Sequence, residues 1–278
     1  MDWTAPAWDR SEGQVVRYAK GSVNLSESRD YGLLRCVLRC GFVTNNQLYE
    51  FMQLGHHEKQ RHTFNWRIRR LSGHGLIVRR TPSAVANGQL VYSIGAAGAL
   101  LLQGAGEYCL FAASRRGRSD DEVSVLHSLE LNEIHLTLLR SGLPVRWIPA
   151  TEIRSQNELT SFGYAKDYDA VIEIRVGDAE LKFALEYERT PKAEKDYRKI
   201  ASLVGGEAHL KDLLYLMPNH DLLHYVSRFF EQPMPHIYFG IVREWHAQLL
   251  DMPVLDVSRQ NKPSLREALL RNLSTLVA

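Results

Sequence analysis

The chain has 278 residues, 45% of them hydrophobic and 24% charged, which are the proportions of a soluble globular protein and exclude a disordered or fibrous one. Its 34 basic and 32 acidic residues leave a formal charge of only +2, and no apolar run reaches the roughly 18 residues that span a bilayer. Three cysteines without CxxC or Cys/His spacing, and a start, MDWTAPAWDR, without the pattern of a signal peptide, argue against a disulfide scaffold, a zinc site or secretion and point to the cytoplasm.

At about 100 to 200 residues per domain the length predicts two domains. Charge asymmetry agrees. From His56 to Arg80 there are seven basic residues, Lys59, Arg61, Arg67, Arg69, Arg70, Arg79 and Arg80, against one acid, Glu58. The stretch from Glu152 to Asp196 is richer in acids, and a polar segment with Arg115, Arg116 and Arg118 lies between. The expected layout is an extension over 1–28, a first domain over 29–113, a linker over 114–122 and a second domain over 123–278.

Ser28-Arg29-Asp30 supplies capping residues before an amphipathic run, Leu33-Leu34-Cys36-Val37-Leu38, that ends at Gly41. Thr44 is an N-cap for a second helix carrying Leu48, Phe51, Met52 and Leu54. A third helix from about Glu58 has Phe64, Ile68 and Leu71 at helical spacing, with Trp66 and Phe64 expected in the core. Residues 75–80 and 90–94 then read as a hairpin with its tip near Pro82 to Gln89. Three helices and a hairpin are the order of a winged helix-turn-helix. Such a fold would place the third helix in the major groove of double-stranded DNA and the wing along the backbone. The alternative is a solvated basic face, with Arg69 or Arg70 bridging to the second domain. The glycines 95, 98, 104 and 106 flank an apolar helix and lack the lysine of a phosphate loop, so no nucleotide cofactor is expected. Cys36, Cys40 and Cys109 read as core filling.

The second domain opens with a helix from Val123 to Arg140, a strand at 145–149 and a polar loop. Gly177-Asp178 then separates two alternating runs, a two-residue hairpin that opposes Val176 to Ala179, Arg175 to Glu180, Glu173 to Lys182, Val171 to Ala184 and Asp169 to Glu186. Alternation puts Ile172, Ile174, Val176, Leu181, Phe183 and Leu185 on a core face. The other face carries Asp169, Glu186 and Glu188 together, where they repel unless a cation or a raised pKa relieves them. Mg²⁺ or Mn²⁺ suits such oxygen ligands; a solvated face neutralised by Arg189 or Lys192 is the alternative. A helix from Lys192, a strand at 213–217, a helix at 221–230, a strand at 236–242 and a helix at 264–276 complete an α/β domain.

The order α-β-β-β-α-β, with Asp169 on one strand and Glu186-Tyr187-Glu188 on the next, resembles the PD-(D/E)xK restriction-endonuclease-like fold. Glu130 or Glu133 could match the acid many members carry on the first helix. Glu188 stands at the family's lysine and Tyr168 at its proline; Lys182 or Lys192 could substitute for the lysine. From Arg29 onward the chain also looks like the replication-relaxation family of bacterial plasmid and mobile-element proteins, through the strings VYSIGAAGALLL, HSLELNEIHLTLL, DAVIEI and ALEYERTPKAEKDYRKI. What the likeness implies is a winged helix joined to a nuclease-like domain, in a DNA-binding accessory or regulatory protein, with a homodimer as a possible assembly. The alternative is a Mg²⁺-dependent DNA endonuclease using Asp169, Glu186 and Glu188 with Lys182 or Lys192.

Overall fold

A computed structural model describes residues 2–4, 24–80, 89–107, 122–143, 145–160, 163–230, 235–256 and 262–274. The expected wing tip, the Arg115–Arg118 knot, Cys109 and most of the expected linker and N-terminal extension lie outside these residues. The architecture is mixed α/β, and the chain divides into two compact units, Met1–Leu136 and Thr137–Ala278. No helix among the described residues is long and apolar enough to cross a membrane.

The first unit begins with β1 (Asp2–Thr4) paired to β2 (Asn24–Ser26), then a π-helical turn (Glu27–Tyr31) that runs into α1 (Gly32–Cys40). Leu33, Leu34 and Val37 bury one face of α1, and Gly41 ends it at a φ of +70°, a conformation that favours glycine. β3 (Val43–Thr44) leads to α2 (Asn45–Leu54), started by the expected Thr44 cap. Thr44 Oγ1 accepts from the Gln47 N–H at 3.1 Å, and Gln47 Oε1 accepts from the Thr44 N–H at 3.1 Å. α3 (Arg61–Gly73) follows, with Phe64, Ile68 and Leu71 buried as their spacing predicts. β4 (Ile77–Arg80) pairs antiparallel with β5 (Val91–Ile94), and β3 joins the far edge of β5 to make a three-stranded sheet. α4 (Ala96–Gly104) lies so close to the chain entering β4 that a Cβ on Gly98 would meet the Leu76 carbonyl at 2.1 Å. Gly98 and Gly95 therefore serve packing, whereas open space surrounds Gly104 and Gly106.

The sequence places the first residues of α5 (Glu122–Arg140) in the second domain, whereas the two units divide within this helix, after Leu136. Val125 and Leu129 pack with Phe42 and Val91 of the first unit. Gln47 Nε2 donates to the Leu129 carbonyl at 2.8 Å and to Glu133 at 2.9 Å, and Asn132 Nδ2 donates to the Phe42 carbonyl at 2.8 Å. Buried polar groups need partners, and these bonds satisfy side chains that spacing alone could not place.

In the second unit β6 (Val145–Pro149) leads directly into α6 (Ala150–Leu159), where the sequence reads as a loop. Ile153 is the buried apolar anchor of this helix and Glu152 sits in its first turn, so there is too little apolar periodicity to detect. β7 (Ala170–Val176) and β8 (Ala179–Tyr187) form the expected hairpin in the expected register, with Gly177 at a φ of +60°. Then come α7 (Glu194–Gly205), β9 (Asp212–Met217), α8 (His220–Ser227), β10 (His236–Ile241), α9 (Val242–Gln248), a 3₁₀ turn (Leu249–Asp251), β11 (Leu255–Asp256) and α10 (Leu265–Ser274). The sheet order is β11-β10-β9-β8-β7-β6, parallel at β8/β9 and β9/β10 and antiparallel elsewhere.

Both faces of this sheet are covered, which corrects the single core face expected from alternation. Ile172, Phe183 and Leu185 are buried on one face; Val171, Ala184, Leu213 and Tyr215 are buried on the other, in a core with Ile153, Tyr197, Ala201 and Leu223. Parallel strands need helices on both sides, and their apolar runs hide the alternation.

Candidate functional sites

In the first unit the seven basic residues divide by environment. Arg67 is buried, its guanidinium 3.5 Å from Asp30 and 3.3 Å from Glu58, both buried carboxylates. Arg70 reaches the same Asp30 at 3.2 Å, and the Ser26 N–H donates to that carboxylate at 2.8 Å. These two arginines fasten α3 to the turn before α1, so Arg67 is withdrawn from any surface contact and Arg70 bridges within its own unit. Arg61 donates to Asn45 and, at 2.6 Å, to Asn46, with its guanidinium over the Tyr49 ring at 4.6 Å. It ties the start of α3 to the start of α2.

Lys59, Arg69 and Arg79 differ. Each is exposed and holds no ion pair among the described residues, and Arg80 is exposed beside Arg79 at the end of β4. Arg69 and Arg79 line a concavity of about 680 Å³, together with polar Asn45 and Asn65 and apolar Ile68 and Leu90. It is bounded by the start of α2, one flank of α3 and the β4–β5 sheet. Phe64 is fully buried, as expected. Trp66 is not: it is 59% exposed, because position 66 falls on the side of α3 away from Phe64 and Leu71.

In the second unit the three carboxylates sit at the open end of the hairpin. Glu186 and Glu188 are buried on the same face of β8 and just beyond it, and Asp169 lies immediately before β7. Asp169 Oδ2 accepts from the Tyr187 N–H at 2.8 Å. Glu186 Oε1 lies 2.5 Å from Lys166 Nζ, and Glu188 Oε2 2.5 Å from Lys192 Nζ. The relief expected for clustered carboxylates is thus supplied by two ammonium groups. Burial pushes the Glu186 carboxyl up to about 7; Lys166 pulls against that shift, and the nearby Asp169 charge adds to it.

Lys192 is one of the two expected substitutes for the lysine missing at position 188. The other, Lys182, pairs instead with Glu173 at 3.3 Å, four residues along β8 from Glu186, and Arg175 pairs with Glu180 at 2.7 Å as the register predicts. Sequence reasoning missed Lys166 and Tyr215. Lys166 comes from the segment before β7, pinned where Glu207 accepts from the Ala165 N–H and the Tyr168 hydroxyl, both at 2.9 Å. Tyr215 is the β9 neighbour of Glu186, and its buried hydroxyl has no hydrogen-bond partner among the described residues. Burial first, then Glu186 and Glu188, raise its pKa well above the ordinary tyrosine value. Neither pairing had a local signal, since Lys166 and Tyr215 each meet Glu186 from 20 or more residues away along the chain.

The expected Mg²⁺ or Mn²⁺ does not fit these donors as they stand. Among the described residues no group of three or more His, Cys, Asp or Glu side chains is placed to hold a metal ion. Two of the three carboxylates already contact ammonium groups that a divalent cation would have to displace.

No curated protein and no solved structure matches the chain. One family does, under the description replication-relaxation, over residues 34–202. That span runs from α1 into α7, takes in both the arginine helix and the carboxylate hairpin, and covers more than half of the 278 residues. By that match the chain belongs to the replication-relaxation family, which suggests a role in replication or mobile-element function.

Proposed function

We propose that this is a DNA-binding accessory or regulatory protein, in which a winged-helix first unit holds duplex DNA and a nuclease-like second unit does not cut it. The observation that carries the reading is the pair Arg69 and Arg79, exposed cations without ion pairs among the described residues, which line one concavity. Helices α1 to α3 followed by the β4–β5 hairpin follow the winged-helix order, with α3 as the groove-facing helix. Lys59 and Arg80 extend the same basic surface. The second unit resembles the restriction-endonuclease-like order with α6 added between β6 and β7, but Glu186 and Glu188 are held by Lys166 and Lys192. That arrangement supports a structural use of the old site; a homodimer interface on this unit is part of the same reading.

The test is incubation of the protein with linear and plasmid DNA, in Mg²⁺ or Mn²⁺ against EDTA, with retardation and cleavage read on the same gels. Retardation that weakens steeply with salt, without cutting, is expected, because phosphate contacts release counterions. Absence of retardation at low salt overturns DNA binding. Metal-dependent cutting lost in Glu186→Ala would instead make the protein an endonuclease.

A further inference from the structure

We infer that Trp66 is a stacking platform for an unpaired nucleobase, so that the first unit prefers DNA with a locally opened strand over a fully paired duplex. The inference rests on the DNA-binding reading of α3 and goes beyond it.

Trp66 is the most exposed large hydrophobic among the described residues, at 59%. Isolated exposed apolar side chains are ordinary on protein surfaces, but this one is held in place. The Arg70 guanidinium lies over the indole at 4.9 Å from the ring centroid. Arg70 in turn is tied at 3.2 Å to Asp30, a buried carboxylate that also receives the Ser26 N–H and neighbours Arg67. The support of the ring is therefore an internal ion-pair network, and an indole anchored in this way loses little further freedom when it meets a partner. A cation on one face of an indole leaves the other flat face for a planar partner.

The neighbouring chemistry selects the partner. Exposed His62 and Arg69 lie four residues before and three after Trp66, on the same outward side of α3. Arg69 can meet a phosphate beside the stacked base. A paired base shows a groove only its edge; its flat face becomes available when the base leaves the stack. Aromatic side chains flanked by cations are the usual means of holding single strands, through stacking that tolerates every base.

The experiment uses the full chain and three fluorescent probes of one sequence: a blunt duplex, the same duplex with a short internal mismatch bubble, and the single strand. Anisotropy titrations give wild-type affinity about 10-fold higher for the bubble than for the duplex. Trp66→Ala removes that preference and leaves duplex affinity unchanged, whereas Trp66→Phe keeps most of it. Because Trp66 is on the surface, circular dichroism of each variant should match the wild type. Equal wild-type affinity for bubble and duplex, or a Trp66→Ala loss that is the same on both, overturns the inference while DNA binding stands. Failure of every probe to bind removes the DNA-binding reading, and the inference with it.

Discussion

The arginine helix of the first unit and the carboxylate hairpin of the second both concentrate one sign of charge in a short span, yet the fold treats them differently. On α3 and β4 part of the charge is spent internally, Arg67 and Arg70 on Asp30 and Glu58, and part is left at the surface as Arg69 and Arg79. At the hairpin, Glu186 and Glu188 are buried and meet Lys166 and Lys192. Charge counted along a sequence is therefore no measure of charge available to a partner. What decides is whether the backbone brings a counter-ion within reach before solvent or a ligand does.

The sharpest way to break the comparison is to remove the internal partner in the first unit. Asp30→Ala leaves Arg67 buried with only Glu58 and frees Arg70 from its anchor. Breaking a buried pair by deleting one partner costs about 3–5 kcal/mol, so the urea midpoint of the first unit should fall steeply. An effect below about 1 kcal/mol, the range of an exposed pair, would show that the network is not structural. The complementary change is Arg69→Ala with Arg79→Ala. Stability should hardly move, while duplex affinity falls about 10-fold or more and the slope of log affinity against log salt becomes shallower by about 2, one phosphate contact per arginine. An unchanged slope would place the DNA surface elsewhere.

The same contrast explains how much could be read from the sequence. Where structure is set by neighbours along the chain, it was legible. Thr44 marked the start of α2, and Gly177-Asp178 set every cross-strand pair of β7 and β8 from a single turn. The acids at 169, 186 and 188 were recognised because hairpin arithmetic places them together. Pairings that close over long sequence separations were not legible. Asp30 meets Arg70 across 40 residues, Tyr215 reaches Glu186 only through a parallel pairing with no turn to fix its register, and Lys166 lies in a segment without periodicity. Trp66 was expected in the core because tryptophan is large and apolar; its helical position, opposite Phe64 and Leu71, is the better guide.

Within the second unit, pH separates a buried acid from an exposed one. Glu186 has a folded pKa of about 7 against an ordinary 4.5, so the folded state binds its proton more tightly than the unfolded chain does. Its contribution to stability is fully present below about 4.5 and is lost as pH rises through about 7. Glu186→Gln cannot titrate, so the stability of wild type minus variant should decline between pH 5 and pH 8. Urea midpoints at four pH values in that window measure the difference, and a flat difference would sink the assignment.

The smallest effect belongs to Lys182, and its smallness is informative. This lysine was expected to serve the carboxylate site, but it is 43% exposed and pairs with Glu173, which Arg146 also contacts at 3.2 Å. An exposed cross-strand pair with a second cation at hand is worth well under about 1 kcal/mol. Lys182→Ala should therefore shift the urea midpoint only slightly and leave the Glu186 titration where it is. Lys166→Ala should move that titration upward, since Lys166 is the cation that holds the Glu186 pKa down against burial. If Lys182→Ala moved the titration as far as Lys166→Ala, the cation serving the carboxylates would be the one on the β8 strand face. The internal pairing that distinguishes this unit from α3 would then have been assigned to the wrong lysine.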